Sequence, residues 1–389
     1  MRILHTSDWH LGRSFHREGM LTHQASYVDH LLQVVDSERV DLVVVAGDVY
    51  DRALPPVDAV RLADETLVRL AASRADVVLT SGNHDSAQRL GFSSRLIDAA
   101  GVFIRTDPGA LHVPIRLADD HGPIAVYAIP YLDPHAVAEP WRLPARTHEA
   151  ALTEAMDRVR RDLVSWPAGT RSVVLAHAFV AGAQPSDSER DISVGGVSMV
   201  PTSVFDAVSY AALGHLHGRH TLSNHVRYSG SPLAYSFSEV NHRKGSWLIE
   251  LDARGLSAAE FLDAPVPRRL SRVRGTLEEL LSDPAYAVHE GSWVEATLTD
   301  DSRPLQAMDR LRRRFPHTLV LGFESAAPVL GGAPTPRTHA RSDRAIALDY
   351  LHEMRGSDPG SDEITLLYQA IDDCTDDHDL DPVSPAGDP

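Results

Sequence analysis

The chain has 389 residues, 43% hydrophobic and 23% charged, the composition of a soluble globular protein of two or three structural units and not of a disordered one. No run approaches the ~18 consecutive apolar residues of a membrane span, the N-terminus carries no apolar stretch long enough for a signal peptide, and the one cysteine, Cys374, excludes an intrachain disulfide or a cysteine-rich metal site, so a cytoplasmic protein is expected. The net charge of −17 argues against an indiscriminate polyanion binder, but ten acidic and no basic residues follow Arg355, leaving 37 basic against 44 acidic side chains in residues 1–355; a phosphate-directed enzyme whose metals supply positive charge stays open.

In chain order, Arg2–Thr6 reads as a strand and Tyr27–Val35 has helical periodicity. Leu42, Val43, Val44 and Val45 form a buried-strand run, Val57–Leu70 a helix and Val77–Thr80 the next strand. A helix at Glu149–Val164, a strand at Ser172–Ala176 and strands with Gly and His turns over Tyr210–Leu262 complete an α/β sandwich. Pro265 and Pro267 mark a boundary. Beyond it Arg268–Arg274, Trp293–Leu298, a helix at Leu305–Phe315 and Thr318–Phe323 suggest a small α+β unit. The Pro- and Gly-rich stretch Ala326–Pro336 reads as a linker. Two amphipathic helices follow, one with Ile346, Leu348, Tyr350, Leu351 and Met354, the other with Ile364, Leu366, Leu367, Tyr368 and Ile371, and then an acidic tail. The expected division is 1–266, 267–325, a linker at 326–342, a helix pair at 343–374 and a disordered tail at 375–389.

Five polar clusters follow predicted strands: Asp8-Trp9-His10, Gly47-Asp48, Gly82-Asn83-His84-Asp85, His177, and Gly214-His215-Leu216-His217. Ligands of α/β sheets bind beyond the carboxyl ends of strands. Each cluster alone has an ordinary alternative, such as a turn or a satisfied core histidine; their order and placement together do not. Oxygen and imidazole donors in this mixture suit Mn²⁺, Fe²⁺ or Zn²⁺. Seven ligand-type side chains are too many for one ion that must also hold substrate, and about right for two ions sharing a carboxylate.

This order of motifs resembles the calcineurin-like metallophosphoesterases, and Leu4-His5-Thr6-Ser7-Asp8-Trp9-His10-Leu11-Gly12, Gly47-Asp48-Val49-Tyr50-Asp51, Ser186–Ile192 and Tyr228-Ser229-Gly230-Ser231-Pro232 resemble their SbcD exonuclease-subunit branch. The resemblance implies a β-sandwich flanked by helices, with a small capping domain and a C-terminal helical pair. It implies that Asp8, His10, Asp48 and His217 take one divalent ion, and Asp48, Asn83, His177 and His215 a second. Mn²⁺ is the expected metal. His84 would stabilise or protonate the departing oxygen, with Asp51 or Asp85 orienting it, unless these belong to a solvated turn.

The resemblance implies a metal-dependent DNA nuclease, acting 3′→5′ on double-stranded ends and endonucleolytically on hairpins. The resemblance implies that the helix pair binds the coiled coil of an SbcC-type ATPase; the chain itself has no Walker-type phosphate loop, so any ATP dependence must come from a partner. Arg268, Arg269, Arg312 and Arg313 are candidate DNA contacts, a solvated helix face being the alternative. Leu31, Leu32, Val34 and Val35 could pair two copies within a heterotetramer, or belong to an internal core. A small-substrate phosphodiesterase or phosphatase, and a non-catalytic scaffold, are the competing readings.

Overall fold

A computed structural model describes residues 1–190, 199–324, 342–355 and 357–376. The expected linker at 326–336, Asp191 and Ile192 of the family-like segment, and the tail from 377 lie outside the described residues. Residues 1–326 and 327–389 form two compact units.

The continuous apolar runs in the first half demand burial on both faces, and two six-stranded sheets packed face to face provide it. In the first sheet, β1 (Arg2–Thr6), β2 (Leu42–Ala46), β3 (Asp76–Thr80) and β4 (Val102–Arg105) run parallel. The second contains β5 (Ile115–Asp119), β6 (Gly122–Ile129), β7 (Arg171–His177) and β8 (Tyr210–Gly214), with β6, β7 and β8 parallel. It ends with β9 (His220–Thr221) and β10 (Val226–Tyr228), whereas β11 (Gly245–Asp252) and β12 (Gly255–Asp263) return antiparallel to close the first sheet beside β1. Three of these strands, Val102–Arg105, Ile115–Asp119 and Gly122–Ile129, belong to a region for which the sequence suggested no element.

Alternate residues of each strand serve different cores. Ile3, Leu42, Val44 and Val78 meet Ile124, Val126, Val173 and Leu175 between the sheets. Leu4, Val43, Val45 and Leu79 face α1 (Leu21–Ser37) and α2 (Val57–Ala71) outside. On the other flank, Ala151, Leu152, Ala155, Met156 and Val159 of α3 (His148–Leu163) cover Tyr127, Val174 and Leu213. Leu31 and Val35 of α1 are each 1% exposed, and Leu32 and Val34 pack partly buried on the same core. Leu31 and Val35 therefore fill the sandwich core and offer no surface to a second copy, whereas Leu32 and Val34 are only partly covered.

The third sheet is β13 (Leu270–Gly275), β14 (Trp293–Leu298) and β15 (Thr318–Phe323), all parallel, with α4 (Leu277–Ser282) and α5 (Ala307–Arg312) as crossovers. Its core is Val273, Leu277, Leu280, Val294, Ala296, Leu311 and Phe315. Helix α5 is shorter than the periodicity predicts, because Gln306 before it is left-handed (φ 51°). Trp293 packs with Phe15, Met20 and Phe237 of the sandwich, seating this unit. In the second compact unit, α6 (Asp343–Arg355) and α7 (Ser361–Asp376) pair, with Arg344 over the Tyr368 ring at 4.8 Å and Arg355 on Glu363 at 2.6 Å. Among the described residues no helix is long and apolar enough to cross a membrane.

The two large sheets touch most closely at their carboxyl ends. A Cβ on Gly214 would lie 1.8 Å from the Ala46 carbonyl oxygen, backbone against backbone. Gly214→Ala is therefore expected to cost about 3 kcal/mol in urea unfolding, the upper end of overpacking penalties. Gly291→Ala, where a Cβ meets nothing, should stay within about 0.5 kcal/mol of wild type. Equal midpoints for the two variants would contradict this account of the sheet contact.

Candidate metal centre

The strands β1, β2, β3, β7 and β8 end within a few residues of the five polar clusters, so the sheet-to-sheet contact gathers them into one buried site. Asp8 (φ 53°), His10 (φ 47°), Asp48 (φ 50°) and His215 (φ 106°) all adopt positive φ. That is an unfavourable region for residues with a Cβ. Backbone bonds hold it in place: Asp8 N–H to the Gly47 carbonyl at 3.1 Å, His10 N–H to the Asp48 carbonyl at 3.0 Å, and Leu11 N–H to the Val49 carbonyl at 2.9 Å. Gly82 must lack a side chain, since a Cβ there would fall 2.1 Å from Asp48 Oδ1.

The sequence-predicted ligands converge. Atoms of Asp8, His10 and His217 lie within 4.8 Å of one another, as do those of Asp8, Asp48 and His177, and those of His10, Asp48 and His84. Asp48 Oδ2 is 3.6 Å from His10 Nε2 and 3.5 Å from His177 Nε2. Asn83 Oδ1 stands 2.9 Å from His177 Nε2 and 3.2 Å from His215 Nδ1. Neither carboxylate is left to the solvent: His84 N–H donates to Asp48 Oδ1 at 2.9 Å and His215 N–H to Asp8 Oδ1 at 3.0 Å.

The electrostatics suit a cation. Burial pushes Asp8 up to about 6, against the pull of His177 and His217. Burial also opposes the Asp48 charge, but His177, His10 and His84 together hold its carboxyl well below the usual range. His10 and His215 are driven well below the ordinary imidazole value by burial, which leaves them neutral. At His177 burial lowers the value, yet Asp48 and Asp8 win and raise it to about 9.

The donor chemistry fits divalent metal on observations within the site. His10 Nε2 and His217 Nε2 face one another at 3.0 Å, an arrangement that two neutral lone pairs hold only around a shared cation or proton. Among the described residues, His10 Nδ1 and Asn83 Nδ2 have no hydrogen-bond partner. His177 Nδ1 sits 2.9 Å from the Ala46 carbonyl, so that nitrogen carries hydrogen and Nε2 turns inward.

His84 reaches the same cluster, its Nε2 4.0 Å from Asp48 Oδ2. The residue that orients it is Asp51, but through the backbone: His84 Nδ1 bonds the Asp51 carbonyl at 2.7 Å. The Asp51 carboxylate points elsewhere, 3.5 to 3.8 Å from Arg52, Arg13 and His10 Nδ1. Asp85 does not touch the ring either. Its carboxylate accepts the N–H groups of Val49, Tyr50 and Gly82 at 3.1, 2.9 and 2.9 Å and clamps two site loops together.

The predicted arginines belong to the small unit. Arg268 donates to the Gly291 carbonyl at 2.7 Å, and Arg312 to the Thr318 carbonyl at 3.1 and 3.2 Å; both guanidinium groups brace their own domain. Among the described residues, Arg269 and Arg313 have side chains without a hydrogen bond or ion pair. Arg313 shares a surface cavity with Arg310, Arg314, Glu290 and Leu281. Sequence reasoning missed Glu239 and Lys244 behind His217, together with Gln24 and Tyr235, which bind the carbonyls of His10 and Trp9 at 2.8 and 2.7 Å. The signal available for Lys244 was its being the only lysine in the chain.

Residues 1–219 match the model of the calcineurin-like phosphoesterases, and residues 266–346 that of the Type 5 capsule protein repressor C-terminal domain. A curated relative, the SbcD subunit of the SbcCD nuclease from Staphylococcus epidermidis, is 29% identical over 324 residues, 82% of this chain and 85% of its own. Among solved structures, a dimetal phosphatase from Danio rerio (15% identity, TM-score 0.40) covers 68% of this chain and 99% of its own, and GAP50, the anchor in the inner membrane complex of Plasmodium (14%, TM-score 0.42), 68% and 84%.

Because Asp85 accepts three buried N–H groups, Asp85→Asn puts a donor where only an acceptor fits. A loss of about 2 kcal/mol in urea unfolding is expected, against less than about 1 kcal/mol for Asp51→Asn, whose carboxylate makes only long ion pairs. The reverse ranking would show that the loop clamp lies elsewhere.

Proposed function

The chain belongs to the calcineurin-like phosphoesterase family, and from that premise we propose that it is the metal-dependent nuclease subunit of an SbcCD-type DNA-processing complex. The observation that carries this reading is the gathering of Asp8, His10, Asp48, Asn83, His177, His215 and His217 at the carboxyl ends of strands from both large sheets, with Asp48 between two donor sets. Support for the DNA-directed branch comes from the staphylococcal relative and from the second family match over the small unit. A hydrolase of small phosphodiesters has no evident use for that unit or for the helix pair.

In this proposal Asp8, His10, Asp48 and His217 hold one divalent ion and Asp48, Asn83, His177 and His215 the other, with Mn²⁺ in both. Such ions supply Lewis-acid stabilisation of phosphoryl charge and a nucleophile at neutral pH. The chain's own residues do the rest. Asp48 would serve both ions, because a carboxylate has two oxygens to offer. The Asp51 carbonyl can only accept, so it fixes hydrogen on His84 Nδ1 and aims Nε2 at the centre. From there His84, protonated at Nε2, stabilises or protonates the leaving oxygen. Burial lowers its readiness to hold that proton, and Asp48 and the Asp51 carbonyl restore part of it.

Residues 1–266 form the catalytic part, 267–325 a cap on DNA, and 343–374 the attachment for an SbcC-type coiled-coil ATPase, joined through 326–342. Among the described residues of the cap, Arg269, Arg310 and Arg313 carry no side-chain hydrogen bond or ion pair, which suits them to meet phosphate. On α6, Ile346, Tyr350 and Met354 recur every four residues along one face and are 44%, 60% and 65% exposed, the stripe of a helix that docks on a partner. Duplex ends and hairpins are the proposed substrates, cut 3′→5′ and endonucleolytically.

Purified protein with end-labelled duplex and hairpin DNA should cleave in Mn²⁺ and stop with chelator. His84→Gln should lower the rate by about 10²- to 10⁴-fold, the range of one general acid, while calorimetry shows Mn²⁺ binding nearly unchanged. Lost Mn²⁺ affinity in that variant would make His84 a ligand instead. Hydrolysis of a small chromogenic diester without DNA cleavage, even with the ATPase and ATP present, would overturn the nuclease reading. Deleting 343–389 should leave metal-dependent hydrolysis and abolish co-elution with the ATPase on gel filtration; normal co-elution would move the attachment site elsewhere.

A further inference from the structure

Behind the candidate centre lies a buried polar network that the proposed reaction does not use. Ser188 Oγ stands 2.6 Å from His217 Nδ1 and 2.7 Å from Glu239 Oε1. The Glu239 side chain is fully buried, and its other oxygen, Oε2, pairs with Lys244 Nζ. That ammonium, 6% exposed, also donates to Ser231 Oγ and to the His217 carbonyl, each at 2.9 Å, which uses all three of its hydrogens. His217 N–H donates to Glu189 Oε1 at 2.6 Å. His217 is thus gripped at its amide, its carbonyl and its ring.

The direction of each bond follows from the donors available. An ion-paired carboxylate only accepts, so the single Ser188 hydroxyl hydrogen goes to Glu239. The hydroxyl oxygen then faces His217 Nδ1 as an acceptor, and the imidazole hydrogen must sit on Nδ1. The lone pair is left on Nε2, the nitrogen that faces His10. A buried ion pair is a poor device for stability, since apolar side chains of the same volume serve as well; what this one delivers is a fixed ring. We propose that Ser188 and Glu239, with Lys244 as the counter-charge, are positioning residues that hold His217 with its Nε2 lone pair aimed at a divalent cation. The proposal rests on the reading of His217 as a metal ligand. Carboxylate partners of ligating imidazoles are common; here the contact is relayed through a serine hydroxyl.

The test is a Mn²⁺ titration of the full-length protein by calorimetry, with the visible spectrum of bound Co²⁺ as a second readout and thermal unfolding of the metal-free protein as the folding control. His217→Ala should remove one class of sites. Ser188→Ala should weaken that same class by about 10- to 100-fold and alter the Co²⁺ spectrum, with unfolding of the metal-free protein little changed. Ser188→Thr, which keeps the hydroxyl, should restore affinity, and Glu239→Gln should behave as Ser188→Ala. If Ser188→Ala binds as wild type while His217→Ala loses a site, the positioning role is wrong and the ligand assignment stands. If Ser188→Ala and Ser188→Thr are equally weak, packing is responsible and the hydroxyl is not. If His217→Ala binds as wild type, or wild type takes up no Mn²⁺, the underlying ligand reading fails and this proposal with it.

Discussion

Two carboxylates, Asp8 and Asp48, are sealed from water at the point where the two large sheets meet. Isolated burial of such groups is prohibitive, so their surroundings must answer each oxygen with a donor or a positive charge. The N–H groups of His84 and His215 answer from two separate loops, and a ring of imidazoles supplies the remainder. The local backbone conforms to that need. Asp8, His10, Asp48 and His215 sit at positive φ, a strain of about 1–3 kcal/mol each that persists only where neighbouring structure over-determines it. The sandwich core, with both faces of every central strand covered, is the source of that over-determination.

The same constraint explains the glycines and the loops. Ala46, Gly214 and the ring of His177 crowd so closely that backbone packs directly on backbone. Gly82 leaves room for the Asp48 carboxylate, and Asp85 ties the Gly82 loop to Val49 and Tyr50. The clamp is a structural element placed one residue from the group proposed to handle the proton, His84, and the two adjacent polar side chains do different work.

A second tier links the centre to the small unit. The short segment Phe237–Glu239 carries Phe237, which packs with Trp293 of β14, and Glu239, which reaches Ser188 and through it His217. Seating of the small sheet on the sandwich and the setting of His217 therefore share one piece of backbone. Under the proposed function, in which the small unit holds DNA and His217 a metal, substrate support and ligand geometry share one scaffold.

The amino-acid sequence by itself determined the alternation of strand and helix, the sandwich, and the set of donor residues, because apolar runs and Asp, His and Asn at strand ends are local signals. Leu42–Ala46 announces a strand buried on both faces, and Gly82-Asn83-His84-Asp85 announces chemistry, without reference to any distant residue. Roles that depend on partners outside the local motif were decided only in three dimensions. Asp51 acts on His84 through its carbonyl, Asp85 staples loops, Arg268 and Arg312 brace their own domain, and Leu31 and Val35 fill the core. Glu239 and Lys244 carried no local pattern that distinguishes a buried pair from a solvated one. Which atom of a side chain meets which neighbour is a property of packing, and packing is settled by the whole chain at once.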